Sequence, residues 1–460
     1  MLSRYVWCLS LAGAVVVADL AMAEGASGTS SKDGSLIIVL GGDLGLGGSG
    51  QPVSPIGGYR HGKRIPWASL TAGIEPILNG DVNFANLETV VTDKRKLSPA
   101  DKLFTFQMHA RGARHLVDVG FNVFSTANNH TRDFGQLGMR ETLRHLEGLR
   151  SKGLLAFPGL GAGRTAAIGP SLIERKGSTL AISALGIGGA QPGRNGRRFG
   201  QPSYHSKVDF SETLSNLAAA EADYKVLSAH YGRELSIRPS SSAIRKLRDE
   251  AVIKHEVDLV VGHHAHVAAG VQRVDRRLIL YGLGNLLHLG MQDMAKFGRC
   301  RDFGLMVRIH LSRQEGKRLS ASAIEAIPLT RMHAMAEPVK VAAAAKRIAV
   351  LNGLASELDH KVSGARGVRF KMNAQGHGVY CFEDAGREKG KEVHPLCRAK
   401  GEPLRDVGSV RCPRLSRSIV ARSSRNRNKR NKLTGRRTAG NSSSSSGTFS
   451  QRFFGSVYGN

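Results

Sequence analysis

A series of short apolar runs, separated by helical patterns, constrains the fold of this chain more than any other feature. The runs cover residues 36–40, 82–85, 122–126, 180–185, 224–228, 258–261, 278–281 and 305–309. Each is strand-length and bounded by polar or glycine-rich breaks. Helical patterns lie between several of them, at 135–152, 211–222 and 241–256. Strand alternating with helix predicts an α/β core. The length of 460 residues allows a large core and two or three domains.

The N-terminus reads as a separate element. Met1-Leu2-Ser3-Arg4 is a short basic start, an apolar run follows from Tyr5 to Val17, and Ala21-Met22-Ala23 forms an A-x-A cleavage site before Glu24. This pattern predicts a secretory signal peptide over residues 1–23, hence an exported chain, periplasmic or extracellular. A run of about 13 apolar residues is short for a membrane span, and no later run reaches the roughly 18 that a span needs. Cys8 falls inside the leader, which leaves Cys300, Cys381, Cys397 and Cys412. An even number in an exported chain predicts two disulfides, and Cys381 with Cys397 plus Cys300 with Cys412 is one of three connectivities. The absence of C-x-x-C spacing argues against a thiolate zinc site.

After a Gly/Ser linker from Gly25 to Ser31, the α/β unit is expected over 24–330. Residues 331–412 are less regular and hold three of these cysteines, so they read as a C-terminal extension packed on the core. Residues 413–460 read as a disordered basic tail: from Arg411 to Asn460 there are twelve Lys or Arg and no acid, out of a formal net charge of +29. Such a run can bind an anionic envelope polymer or a membrane surface, or simply solubilise the chain; after export no nucleic acid is expected as a partner.

Polar residues recur where the apolar runs end, which is where open α/β sheets place their sites. Gly41-Gly42-Asp43 follows the first run, so Asp43 stands after a strand and a glycine turn. Asn86-Leu87-Glu88 follows the second, with Asn86 and Glu88 alternating to one face. Asn128-Asn129-His130, His230-Tyr231-Gly232-Arg233-Glu234, Gly262-His263-His264-Ala265-His266 and Gly282-Leu283-Gly284-Asn285 follow later ones. On an extended backbone His264 and His266 would point to one side. Asp, Glu, Asn and His together suit a divalent metal such as Mn, Fe or Zn, as one ion or a pair.

The ordered set Gly42-Asp43, Asn86-Leu87-Glu88, Asn128-Asn129-His130, His230-x-Gly232-x-Glu234, Gly262-His263-His264-x-His266-Val267 and Tyr281-x-x-Gly284-Asn285 resembles the CapA family of poly-gamma-glutamate capsule biosynthesis proteins, itself similar to calcineurin-like metallophosphatases. The resemblance covers about residues 36–328 and implies a metallophosphatase-like four-layer α/β/β/α sandwich. It implies metal ligands at Asp43, Glu88, Asn129, His230, His264 and His266, with Glu88 where many phosphoesterases have a bridging Asp. It places His130 as the acid that protonates a leaving group. Asn86, Glu234 and Asn285 would orient ligands or substrate from behind, and His263 would be structural.

Two departures stand out. Metallophosphatases open with D-x-H, whereas Asp43-Leu44-Gly45 lacks the histidine, which weakens one of two metal positions. Ala265 stands where the family usually has Pro, a loss of loop stiffness but of no ligand. The resemblance implies an exported protein of envelope or capsule polymer synthesis. It is expected either to hydrolyse phosphoesters with metal, on a polymer or a phosphorylated small molecule, or to serve as a non-catalytic accessory that binds an anionic polymer.

Overall fold

The computed structural model describes residues 35–188, 198–313, 318–360, 364–382, 394–397 and 403–414. The expected leader (1–23), the linker after it and the basic run from residue 415 lie outside these. Among the described residues no helix is long and apolar enough to cross a membrane.

In chain order the strands of the two large sheets are β1 (Leu36–Gly45), β2 (Val82–Leu87), β3 (Val123–Ser125), β4 (Ser171–Arg175), β5 (Ser178–Leu185), β6 (Tyr224–His230), β7 (Leu259–His263), β8 (Val271–Val274), β9 (Arg277–Leu280), β10 (Asn285–His288), β11 (Gly304–Arg313), β12 (Leu319–Thr330), β13 (Glu337–Pro338), β14 (Ala365–Gly367), β15 (Lys371–Met372) and β16 (Gly378–Cys381). The first sheet runs β15-β16-β12-β11-β1-β2-β3, with β10 paired to β1 and β13 to β12. The second runs β14-β8-β9-β7-β6-β5-β4. Every apolar run singled out above contributes a strand to one of them.

The two sheets pack face to face in an α/β/β/α sandwich, and the period-2 pattern of the second sheet shows how. Leu180, Ile182, Val226, Leu259, Val261, Leu278 and Leu280 share one apolar cluster with the first sheet. Their neighbours Ala181, Leu185, Leu227, Val260 and Ile279 turn the other way, onto the outer helices. There they meet Phe210, Leu214 and Leu217 of helix α3 (Lys207–Ala219) and Leu247, Ala251 and Val252 of the helical segment after Ser240. Such strands are buried on both faces, which is why they read as unbroken apolar runs. On the first sheet, α1 (Ala110–Asp118) and α2 (Gly135–Gly148) join the same cluster through Ala113, Leu116, Val117 and Leu146.

The helical boundaries follow local capping. α3 begins earlier than its apolar period indicates, because the Ser206 hydroxyl accepts from the Asp209 N–H at 3.2 Å. Ser240 caps the next helix in the same way through Ala243 N. After Ile244 that helix widens into a π-helix over Arg245–Lys254, a change for which its sequence carries no evident signal.

Residues 337–360 and 364–381 are woven into both sheets: β14 extends the second, β13, β15 and β16 extend the first, and α4 (Val341–Ser356) contacts both. Disulfides join Cys300 to Cys412 and Cys381 to Cys397. One ion-pair cluster ties the strands of this region. Glu325 on β12 pairs with Arg308 on β11, and with His377 Nδ1 at 2.7 Å.

Burial works to raise the Glu325 pKa, but the His377 hydrogen bond and the Arg308 charge bring it from 4.5 down to about 2. A carboxylate depressed on folding stabilises the fold above its unfolded pKa and loses that contribution as pH falls through the folded one. Glu325→Gln is therefore expected to lose about 2–3 kcal/mol at pH 7 and almost nothing near pH 2. Urea unfolding of both proteins at pH 7 and pH 3 measures this, and an equal deficit at both pH values would refute it.

Candidate metal centre

β1, β2 and β3 are parallel, as are β5, β6, β7 and β9, so each sheet gathers several strand C-termini along one edge. The polar residues meet there. Asp43 lies within β1 rather than after a glycine turn, a correction to the sequence reading. Gly41 and Gly42 form a bulge between the Leu40 and Asp43 pairings with β2. A Cβ on Gly42 would stand 1.9 Å from the Gly284 carbonyl oxygen, so only glycine admits this approach. The Asp43 N–H donates to that same carbonyl at 2.9 Å.

Glu88, directly after β2, is the hub. Its Oε1 lies 3.4 Å from His230 Nε2 and 3.9 Å from His130 Nε2. Its Oε2 lies 3.7 Å from His288 Nε2 and 3.9 Å from His266 Nδ1. Asp43 Oδ2 stands 3.1 Å from His266 Nδ1 and accepts from the His264 N–H at 3.2 Å. Asp43 Oδ1 accepts from Asn86 Nδ2 at 2.9 Å. Asn129 Oδ1 is 2.6 Å from His230 Nε2. Glu88, His264 and His266 offer ligand atoms within 4.8 Å of one another.

The oriented shell also takes shape. Asn285 Oδ1 stands 2.9 Å from His266 Nδ1, the atom that also faces Asp43 and Glu88, whereas Asn86 contacts His230 Nδ1 at 3.2 Å and leaves its Nε2 toward Glu88. Metal-binding imidazoles are usually steadied by such neighbours. His263 stacks on Phe84 and stands 3.7 Å from Asp43. Glu234 is exposed, and its charge bears on Glu88, His264 and His266.

His264 and His266 do not alternate along an extended strand. β7 ends at His263, and both residues adopt left-handed backbone, with φ of 86° and 57°. The rings converge because the chain coils back on itself. Non-glycine residues hold such conformations at a cost of order 1–3 kcal/mol each, a strain that clusters at functional sites.

Burial sets the electrostatics. Glu88 is fully buried and neither carboxylate oxygen has a hydrogen-bond partner; His264 Nδ1 and both ring nitrogens of His263 and His288 are likewise unpartnered. Native interiors seldom leave polar atoms so exposed to one another and so unsatisfied. Burial, then the Asp43 charge, raises the Glu88 pKa to about 8. Burial lowers His230 to about 3. Burial opposes charge on His266 too, yet Glu88 and Asp43 hold its pKa up at about 10. Burial alone would raise Asp43, but its hydrogen bond to His266 and the nearby imidazoles draw it well below the carboxylate range. A divalent cation fits this donor set: it would satisfy the orphaned oxygens and imidazoles and offset the clustered carboxylates.

Two residues at the site escaped the sequence reading. Asp133 binds His130 Nδ1 at 2.6 Å, accepts from the Phe106 N–H at 2.6 Å and pairs with Lys102, fixing the His130 ring. Its only signal was its place three residues after His130. His288 sits in the apolar stretch Leu286-Leu287-His288-Leu289, where a lone imidazole reads as core.

A family model described as "Bacterial capsule synthesis protein PGA_cap" matches residues 37–288. The PGA biosynthesis protein CapA of Bacillus subtilis (strain 168) is 28% identical over 278 residues, covering 59% of this chain and 67% of that one. The capsule biosynthesis protein CapA of Bacillus anthracis is 26% identical over 288 residues, covering 60% and 64%. The chain thus spans about two thirds of the length of these curated relatives. Among solved structures, the NAD nucleotidase NadN of Haemophilus influenzae aligns with a TM-score of 0.34 at 11% identity, over 64% of this chain and 56% of that one.

Proposed function

The chain belongs to the bacterial capsule synthesis protein PGA_cap family over residues 37–288, and from that premise we propose that it works in the synthesis of an anionic envelope polymer of the poly-gamma-glutamate type, as a metal-dependent phosphoesterase-type hydrolase. The leader-like start of the sequence supports action outside the cytoplasm, in the periplasm or beyond the cell. The single observation that carries the enzyme reading is Glu88: a buried carboxylate with both oxygens unpartnered, ringed by His130, His230, His266 and His288.

One or two divalent ions (Mn, Fe or Zn) held by Asp43, Glu88, Asn129, His230, His264 and His266 would supply an activated water and a clamp for phosphoryl oxygens. The chain's own groups do the rest. Asp133 fixes the His130 ring so that Nε2 faces the cluster, the atom from which a proton can reach a leaving oxygen. Asn86 and Asn285 hold His230 and His266 in place. The full burial of Asp43, Glu88 and His230 keeps bulk water from them and strengthens each of these interactions.

A second reading rests on burial. Asp43, Glu88 and His230 are fully buried, so a substrate would have to reach ions held by side chains that have no exposure of their own. The protein would then bind an anionic polymer without turnover. The basic run at 411–460 supports contact with such a polymer or with a membrane surface.

The test uses full-length protein loaded with Mn, Fe or Zn and a generic phosphodiester or monoester. Hydrolysis is expected, with Asp43→Ala and His264→Ala reducing it by roughly a thousandfold or more while circular dichroism stays unchanged. No turnover with any of the metals, together with retained polyglutamate binding, would sink the enzyme reading. In the binding assay, deleting residues 413–460 should flatten the salt dependence; an unchanged slope would remove the tail from polymer contact.

A further inference from the structure

We infer that His288 is a metal ligand, supplied by a neighbouring strand in place of the histidine missing from position 45. The inference rests on the reading of the cluster as a metal centre and adds a residue to it. Strand pairing carries the argument. β10 runs parallel to β1, with Gly45 paired to His288. A Cβ on Gly45 would stand 3.0 Å from both Cε1 and Nε2 of the His288 ring. The imidazole therefore fills the space that a side chain at 45 would enter. The D-x-H pattern places its second ligand two residues after the aspartate, which here is Gly45. The same space next to Asp43 receives a ring from the adjacent strand.

The ring is also poised for a ligand. It is fully buried, its Nε2 lies 3.7 Å from Glu88 Oε2, and neither nitrogen has a hydrogen-bond partner. An ordinary core histidine donates or accepts somewhere. The Phe106 ring meets this one edge-on at 4.9 Å, and His266 stands 5.9 Å away. The structure thus sets Glu88 Oε2 beside His288 and His266, and Glu88 Oε1 beside His230 and His130. A shared carboxylate with imidazoles on each oxygen makes two positions, and His288 completes the one that the sequence left short.

The test is titration of the metal-free full chain with Co(II), read by calorimetric stoichiometry and by visible absorption, which reports coordination. The wild-type chain is expected to bind two ions and His288→Ala one. The swapped double variant, Gly45→His with His288→Gly, should regain the second ion, which a chain that merely misfolds could not do. Unchanged stoichiometry and affinity in His288→Ala would overturn the assignment. A folded double variant that stays at one ion would overturn the equivalence of positions 45 and 288. If the wild-type chain binds no Co(II), the metal-centre reading itself falls, and the assignment with it.

Discussion

Replacing Glu88 by glutamine is expected to strip the centre of divalent metal while leaving the metal-free fold as stable as before. Glu88 accepts no hydrogen bond and its pKa is raised to about 8, so without an ion it carries a proton at neutral pH. Glutamine has nearly the same shape and is neutral, so the metal-free variant should lie within about 1 kcal/mol of wild type. With metal the comparison reverses. An ion at about 1,000 times its Kd adds about 4 kcal/mol to wild-type stability, and the variant should gain almost none of it.

The same exchange fixes the pH dependence. A proton held by Glu88 below about 8, and one on His266 below about 10, must leave when metal enters. Affinity should therefore rise with pH up to about 8, and more gently from there to about 10, by roughly tenfold per unit for each proton displaced. Calorimetry in buffers of different ionisation enthalpy counts those protons. Affinity that ignores pH, or that survives Glu88→Gln, would refute the central place of this carboxylate.

The second large effect concerns the Cys300–Cys412 disulfide. It closes a sequence separation of 112 residues. By the loop-entropy relation, opening a loop of that length removes about 4–5 kcal/mol. The link is set in a packed environment: Cys412 is buried in the main cluster, and Arg238 donates to its carbonyl at 2.7 Å. The neighbouring backbone is held by Val410 N–H to Ala349 O and by Asn352 to Gly408 O. Paired replacement of Cys300 and Cys412 by alanine should lower the urea midpoint steeply. The Cys381–Cys397 link, spanning 16 residues, should matter less, about 3 kcal/mol. A change below about 1 kcal/mol for the long link would mean that packing alone holds the segment.

The strands were legible because burial on both faces leaves unbroken apolar runs, and the site was legible because polar residues interrupt those runs at their ends. What escaped depended on pairing between distant segments. Asp43 stands in a strand because Gly42 meets Gly284, more than two hundred residues away, a contact no local pattern encodes. His264 and His266 converge through left-handed backbone, which a period-2 reading does not anticipate. His288 carries no local signal because its strand is apolar on either side, and only the pairing with Gly45 across the sheet brings it to the cluster. The disulfide pairing, by contrast, was among the connectivities open from the start.

The span of the cluster along the chain bears on how a metal would enter it. Asp43 stands near the start of the fold and His288 far downstream, and β1 is closed on one side by β2 and on the other by β10 and β11. A nascent chain that has not yet delivered residue 288 cannot assemble the full cluster. An ion bound there would thus be chosen late, after most of the polypeptide has emerged, and from whatever pool surrounds it then. Affinity at such N/O sites follows the Irving–Williams order whatever ion is needed, so local availability weighs heavily in which one is bound. The compartment where this chain finishes folding would therefore select its metal.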